Sequence, residues 1–230
     1  MYMYRVYIIR SKTLNRSIRH PVPNNEQALE LKKLSYEIIA IDLYKGDGEQ
    51  FNETYGSVNP LHQVPTLVID EESFTQSISI IEYLDEVYTS NSKLLPTDLI
   101  LRAQARTIAE IINSGIQPLQ NVRLLKTLHE GKQVWVHKVI NDGFKSLETM
   151  LKKTSGLYCV GNDITVADIF LVPQVYNAKR FKIDINEFPH ISRIYKTFCQ
   201  HEAVEKASPN VQPDCPENER EKNFLKFYEF

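Results

Sequence analysis

Asn59-Pro60-Leu61-His62-Gln63-Val64-Pro65-Thr66-Leu67, followed shortly by Gln76-Ser77-Ile78-Ser79-Ile80-Ile81-Glu82-Tyr83-Leu84, is the stretch that decides the fold. Two prolines bracket a short loop that opens into an apolar, β-like run. Proline is tolerated at the first residue of a strand because it need not donate to the ladder. A cis bond at Val64-Pro65 would turn the Val64 backbone outward and leave its N–H and C=O for an extended ligand added like a strand. The residues alone leave cis and trans both open. From Ser77 onward, Ile78, Ile81, Leu84 and Val87 recur at helical spacing, with Glu82, Asp85 and Glu86 on the other side. Ser77 is a favourable N-cap type, and the N–H groups of that first turn would attract a carboxylate, although plain capping accounts for the same residues.

Outward from this stretch, the chain predicts a strand at Tyr4–Ile9, a helix at Asn25–Lys33, strands at Tyr36–Ile41 and Thr66–Ile69, and a helix at Ser77–Tyr88. The order β-α-β then β-α is that of a small α/β sheet domain. The character of the chain changes at Leu94-Leu95-Pro96-Thr97-Asp98, after which helical periodicity takes over, with helices expected at Leu101–Asn113, Lys132–Lys152, Val166–Val175 and Ile191–Gln200. Thr165-Val166-Ala167-Asp168 reads as a capping box ahead of an apolar run. Asp168 is therefore expected to be a buried folding element rather than a catalytic acid. The expected class is α/β plus all-α: an N-terminal sheet domain over residues 1–90, a helical domain over 98–216 and a tail over 217–230.

Composition narrows the function classes. With 42% hydrophobic and 24% charged residues the 230-residue chain is globular, and its formal charge of -2 offers no global field for nucleic acid or an anionic membrane. Cys159, Cys199 and Cys215 are an odd number without CxxC or metal-ligand spacing, so no disulfide framework or metal site is expected and a reducing, cytoplasmic location fits. No stretch approaches the roughly 20 apolar residues of a membrane span. Val6-Tyr7-Ile8-Ile9 reads better as a strand than as part of a targeting segment.

The ordered set of motifs resembles the zeta-class glutathione transferases, the maleylacetoacetate isomerases. It comprises Lys45-Gly46 to Gln50-Phe51, the Asn59–Leu67 and Gln76–Leu84 runs, Ser114-Gly115-Ile116-Gln117-Pro118-Leu119-Gln120-Asn121, Tyr158-Cys159-Val160-Gly161, Thr165 to Asp168, Leu171-Val172-Pro173-Gln174-Val175 and Asn177-Ala178-Lys179-Arg180-Phe181. The similarity runs from about Ala28 to Pro216. It implies a thioredoxin-like domain followed by a helical-bundle domain, glutathione as the cofactor, a homodimer, and a small acidic electrophile as partner in isomerisation or conjugation. By resemblance, Val64 pairs its backbone with the cysteinyl part of glutathione, and Gln76 with Ser77 holds the γ-glutamyl carboxylate. Gln50 reaches the glycyl end, Gln117 and Asn121 come from the second domain, and Arg180 anchors the carboxylate of the second substrate.

One element departs from the family. Its catalytic Ser-Ser-Cys-Ser-Trp-Arg-Val-Arg-like sequence is absent, and counting back from Ala28 without gaps puts Arg19-His20-Pro21-Val22-Pro23-Asn24-Asn25-Glu26 in its place. Pro21 and Pro23 lack N–H groups, so the donors expected at a helix start are altered too. A gapped alternative aligns Arg10-Ser11 with the family's Arg-Ser and makes Ser11 the candidate donor that stabilises the glutathione thiolate. The same departure leaves a second reading open: a non-catalytic glutathione-binding or interaction protein on the same scaffold.

Overall fold

The structure is a computed structural model that describes residues 4–9, 24–43, 45–128 and 130–208. Its described residues before Lys93 form one compact unit and Lys93–Glu205 a second.

In the first unit, Tyr4–Ile9 is strand β1, with Tyr4 and Val6 buried on alternate positions and Arg5 exposed between them. Helix α1 (Asn24–Leu31) follows, then β2 (Tyr36–Ile41), a single 3₁₀ turn at Glu49–Phe51 and the short α2 (Glu53–Gly56). Strands β3 (Thr66–Ile69) and β4 (Glu72–Thr75) lead into α3 (Ser77–Val87). The sheet order is β2-β1-β3-β4: β1 runs parallel to β2, antiparallel to β3, and β3 antiparallel to β4. A parallel β1–β2 pair needs a crossover, which α1 supplies, while the tight Asp70-Glu71 turn suffices for the antiparallel pair. Asp70 takes a φ of 54°, which a short polar side chain tolerates.

The fully buried Val6, Leu67, Ala28, Leu29, Ile80, Ile81 and Leu84 make this unit's core. Helices α1 and α3 pack against each other. Lys32 crosses between them, donating to Asp85 at 2.6 Å and to the Tyr88 carbonyl at 3.0 Å, and it is wholly buried. Removing either partner would strand a buried charge, at a cost of about 3–5 kcal/mol.

The second unit is helical. Helix α4 (Leu99–Glu110) starts at Asp98, whose carboxylate accepts from the Ile100 and Leu101 N–H groups at 2.9 Å each. It passes into a π turn at Ile111–Ile116 and a 3₁₀ turn at Pro118–Gln120, then α5 (Val122–Thr127) and α6 (Lys132–Thr154). Gly143 of α6 gives Ile116 its place: a Cβ there would lie 2.4 Å from the Ile116 side chain. Helix α7 (Val166–Arg180) is buried almost all round, as a helix apolar on every face must be. Helices α4 and α8 (Pro189–Phe198) pack against it, and α9 (Glu202–Lys206) is the last element described.

Six sequence expectations shift: the helix expected over Ser77–Tyr88 ends at Val87, and five others move too. The helix expected from Asn25 begins at Asn24 and ends at Leu31; that expected from Leu101 begins at Leu99; that expected from Lys132 runs on to Thr154; that beginning at Val166 runs on to Arg180; and that expected from Ile191 begins at Pro189. Strand β4 was not expected at all: Glu72-Ser73-Phe74-Thr75 is a polar edge strand without apolar alternation. The 217–230 tail lies outside the described residues.

Candidate functional site

The loop between α2 and β3 is fixed from beneath by buried polar groups. Asn59, wholly buried, donates through Nδ2 to the Gln63 carbonyl at 2.6 Å and to Thr66 Oγ1 at 3.0 Å, and accepts from the Leu61 N–H at 2.9 Å. The Tyr55 hydroxyl also donates to the Gln63 carbonyl, at 2.5 Å, and lies 2.8 Å from Thr66 Oγ1. Burial pushes the Tyr55 phenol up, against the hydrogen bonds from Thr66 and Asn59, so it stays a neutral donor. These bonds leave Gln63 held and the next residue, Val64, at the rim.

The Val64-Pro65 bond is cis. Among the described residues no hydrogen bond reaches the Val64 N–H or C=O. The Thr66↔Thr75 register of the β3–β4 ladder brings Val64-Pro65 and Gln76-Ser77 to the same end of that hairpin. There Gln76, with a φ of 68°, is the residue before the helix, and Ser77 is its first helical residue. The N-cap expected at Ser77 is thus a correction. The left-handed backbone of Gln76 ends the extended chain one residue early, so the Ser77 backbone is already helical. No side chain caps α3, and the first-turn N–H groups keep the positive end of the helix dipole.

Gln50 is tied to this edge through its backbone: the His62 ring donates from Nδ1 to the Gln50 carbonyl at 2.7 Å, two residues before Val64. Its side chain folds over Gly48, where a Cβ would come 2.4 Å from Gln50 Nε2, and its Oε1 is buried without a hydrogen bond. Gly48, at φ 112°, is thus required twice, for conformation and for space. Gln50, Val64, Gln76 and Ser77 therefore belong to one edge of the first unit.

The second unit holds the other candidates. Gln117 closes the π turn through its N–H to the Ile112 carbonyl at 2.9 Å. Asn121 is the N-cap of α5, its Oδ1 accepting from the Leu124 N–H at 2.8 Å, which leaves its amide donors for other partners. Between them, Gln120 points inward to α7, donating to Gln174 Oε1 at 2.5 Å and accepting from Asn177 Nδ2 at 2.8 Å. Asn177 in turn accepts from Arg180 Nη1 at 3.3 Å. Gln120, Gln174, Asn177 and Arg180 are thus joined through one side-chain network, and Gln117 and Asn121 flank Gln120 along the chain.

Other groups are set aside by their surroundings. Asp168 is wholly buried and accepts from the Cys159 N–H and Thr165 N–H, each at 2.8 Å, and the Thr165 hydroxyl at 3.0 Å. Its oxygens serve the fold. Burial, with Asp168 alongside, pushes the Cys159 thiol well up, and burial does the same at Cys199, so neither is a thiolate nucleophile. Ser11 and Cys215 lie outside the described residues. Sequence reasoning missed Asn59, Tyr55 and Gln120. An Asn-Pro ahead of a Val-Pro signals the loop, but nothing local marks a tyrosine or a glutamine whose partners lie far along the chain.

Comparison with known proteins identifies the family of both units. The family model of the glutathione S-transferase N-terminal domain matches residues 27–87, and that of the C-terminal domain residues 122–207. Maleylacetoacetate isomerase of Mus musculus is 46% identical over 190 residues, covering 82% of this chain and 88% of that protein. Among solved structures, a holo maleyl pyruvate isomerase, a bacterial zeta-class glutathione S-transferase, superposes with a TM-score of 0.82 at 30% identity, over 92% of this chain and 100% of that one. Maleylacetoacetate isomerase from Anaeromyxobacter dehalogenans, solved with glutathione in its active site, gives 0.80 at 34% identity over 94% and 99%. The same enzyme was also solved with dicarboxyethyl glutathione and citrate bound. The chain belongs to the glutathione S-transferase family, among the zeta-class maleylacetoacetate isomerases.

Proposed function

We propose that this chain binds glutathione along the Val64 edge and uses its sulfur to isomerise, or to add to, a small acidic electrophile. The observation that carries this reading is the unpaired Val64 backbone at the same end of the hairpin as the uncapped start of α3. Glutathione is an extended, backbone-like anion. Its cysteinyl N–H and C=O suit the two free groups of Val64, and its γ-glutamyl carboxylate suits Ser77, Gln76 and the α3 dipole. Gln50 faces the glycyl end, Gln117 and Asn121 supply amide donors, and Arg180 takes the electrophile's carboxylate.

In isomerisation, the thiolate adds to one carbon of a conjugated cis-alkene and the electron pair moves to the carbonyl oxygen as an enolate. The former double bond rotates, and collapse of the enolate expels the thiolate to leave the trans alkene, so nothing is consumed. In conjugation, the same thiolate displaces a leaving group and remains bonded to carbon. Both need the sulfur ionised near neutral pH, and Ser11 is the candidate hydroxyl that donates to it. Burial of Cys159 and Cys199 as free thiols suits a reducing cytoplasm. Exposed Leu99 and Ile100 on α4 and Val134 on α6 suit burial in a homodimer, which light scattering reads directly.

Calorimetric titration with glutathione, paired with turnover of an α-haloacid and of a cis-dienoic acid, tests the proposal. Binding with turnover supports it, whereas binding without turnover replaces it with the non-catalytic reading. Ser11→Ala should lower kcat/KM by about 10²-fold or more, with glutathione affinity unchanged.

A further inference from the structure

Buried side-chain amides are rare enough to need an account, and Gln120 and Gln174 are both buried in the second unit, Gln174 completely. With Asn177 and Arg180 they form a chain of three hydrogen bonds: Arg180 Nη1 to Asn177 Oδ1 at 3.3 Å, Asn177 Nδ2 to Gln120 Oε1 at 2.8 Å, and Gln120 Nε2 to Gln174 Oε1 at 2.5 Å. All three bonds run in the same sense. A guanidinium only donates, so Asn177 must turn its oxygen to Arg180 and its NH₂ away. That NH₂ requires the Gln120 oxygen, which sends the Gln120 NH₂ on to the Gln174 oxygen. The chain ends at Gln174 Nε2, buried and without a hydrogen bond. The orientation of every amide thus follows from the positive charge at the α7 terminus, and successive bonds in one sense polarise one another.

We propose that Gln120 is a positioning residue for the second substrate's carboxylate: through Asn177 it holds the exposed Arg180 in the orientation that receives an acid, and so sets the preference for acidic electrophiles. This rests on the reading of Arg180 given above. Gln120 lies in the 3₁₀ turn between Gln117 and Asn121, but its side chain bonds to Gln174 and Asn177 and to neither of those two, so its replacement removes no partner from the amides assigned to glutathione. Without Gln120, Asn177 still turns its oxygen to the guanidinium, but its NH₂ loses its anchor, so the carboxamide and the Arg180 side chain it holds lose their fixed position.

The test compares two ligands by calorimetry on the full chain: glutathione and S-(1,2-dicarboxyethyl)glutathione, which adds only the acidic thioether group. The ratio of their dissociation constants reads the carboxylate contribution independently of turnover. Arg180→Gln should abolish the preference for the dicarboxylate. Gln120→Met, which keeps the volume and removes both hydrogen bonds, should reduce that preference by about 3–10-fold, in the range of one ordinary hydrogen bond, while glutathione binds as before. Asn177→Leu, at a half-buried site, breaks the same link and should behave alike if Gln120→Met does not fold. Loss of the preference in Arg180→Gln but not in the Gln120 and Asn177 variants overturns this inference and leaves Arg180 as the anchor. Equal weakening of both ligands in Gln120→Met shows a role in folding alone and overturns it too. An unaltered chain without the preference, or an Arg180→Gln variant that keeps it, overturns the inference together with the reading beneath it.

Discussion

At Ser77 a hydroxyl, a half-buried position and the first turn of an uncapped helix coincide. The hydroxyl is not consumed in closing its own helix, because the backbone turns at Gln76 instead. A hydrogen bond to a charged group contributes about 1.5–3 kcal/mol, and a helix terminus adds some tenths more. Ser77→Ala should therefore weaken glutathione binding by about 10-fold or more, read by calorimetry, with little change in the stability of the free chain. Such a substitution at an ordinary N-cap would instead destabilise the protein by about 1 kcal/mol and leave ligand affinity alone. The two outcomes separate a ligand-facing hydroxyl from a capping one. The serine itself was legible in the sequence as a helix start, but its role was not, because a positive φ at a glutamine has no local signature. Gln120 was illegible for a different reason: its partners Gln174 and Asn177 lie 54 and 57 residues away.

Elements with a strong period could be read from the chain. Helix α6 repeats Val136, Ile140, Phe144, Leu147 and Leu151 on one face, and α3 and α7 announce themselves by apolar spacing and by the acidic residue of a capping box. Strand β4 escaped because its stability comes from pairing with β3 and from Phe74 stacked on Tyr83 at 4.6 Å, neither of which can be read from four residues with a single apolar side chain among them. Helix α9 has a start that depends on pH. His201 Nδ1 accepts the Ala203 N–H at 3.2 Å, which only an unprotonated nitrogen can do. Burial lowers the His201 pKa, with Glu202 opposing in part. The unfolded chain then binds the proton more readily than the folded one, so the stabilisation is present above the ordinary value of about 6.5 and is lost as pH falls through it toward the lowered one. His201→Asn keeps an N-cap acceptor without a titrating ring. Thermal unfolding followed from pH 7 to 5 should show a smaller loss of stability in that variant than in the unaltered chain, and equal losses would reject the assignment.

On the scale of the whole molecule, the residues proposed for the chemistry fall in two compact units: Val64, Gln76 and Ser77 in one, and Gln117, Asn121 and Arg180 in the other. The change from mixed α/β pattern to continuous helical period near Leu94 was plain in the sequence, since each unit must bury its own faces with its own period. The identity of the sulfur's hydrogen-bond donor was not, because the residues that replace the family's serine run carry two prolines and no motif. Ligand that binds only the folded chain stabilises it by mass action, by about 2.7 kcal/mol at a hundredfold excess over Kd. Saturating glutathione should thus raise Tm by about 5–10 °C for a chain of this length, and Ser77→Ala should shrink that shift at fixed ligand concentration. A Tm insensitive to glutathione would contradict binding to the folded state.

The most direct test is a crystal structure of the chain grown with glutathione. The account predicts the cysteinyl N–H and C=O paired with the Val64 C=O and N–H at about 2.9 Å, and the γ-glutamyl carboxylate on the Ser77 hydroxyl and the first N–H groups of α3. Glutathione bound elsewhere, or the Val64 backbone paired to the protein's own chain in its place, would contradict it.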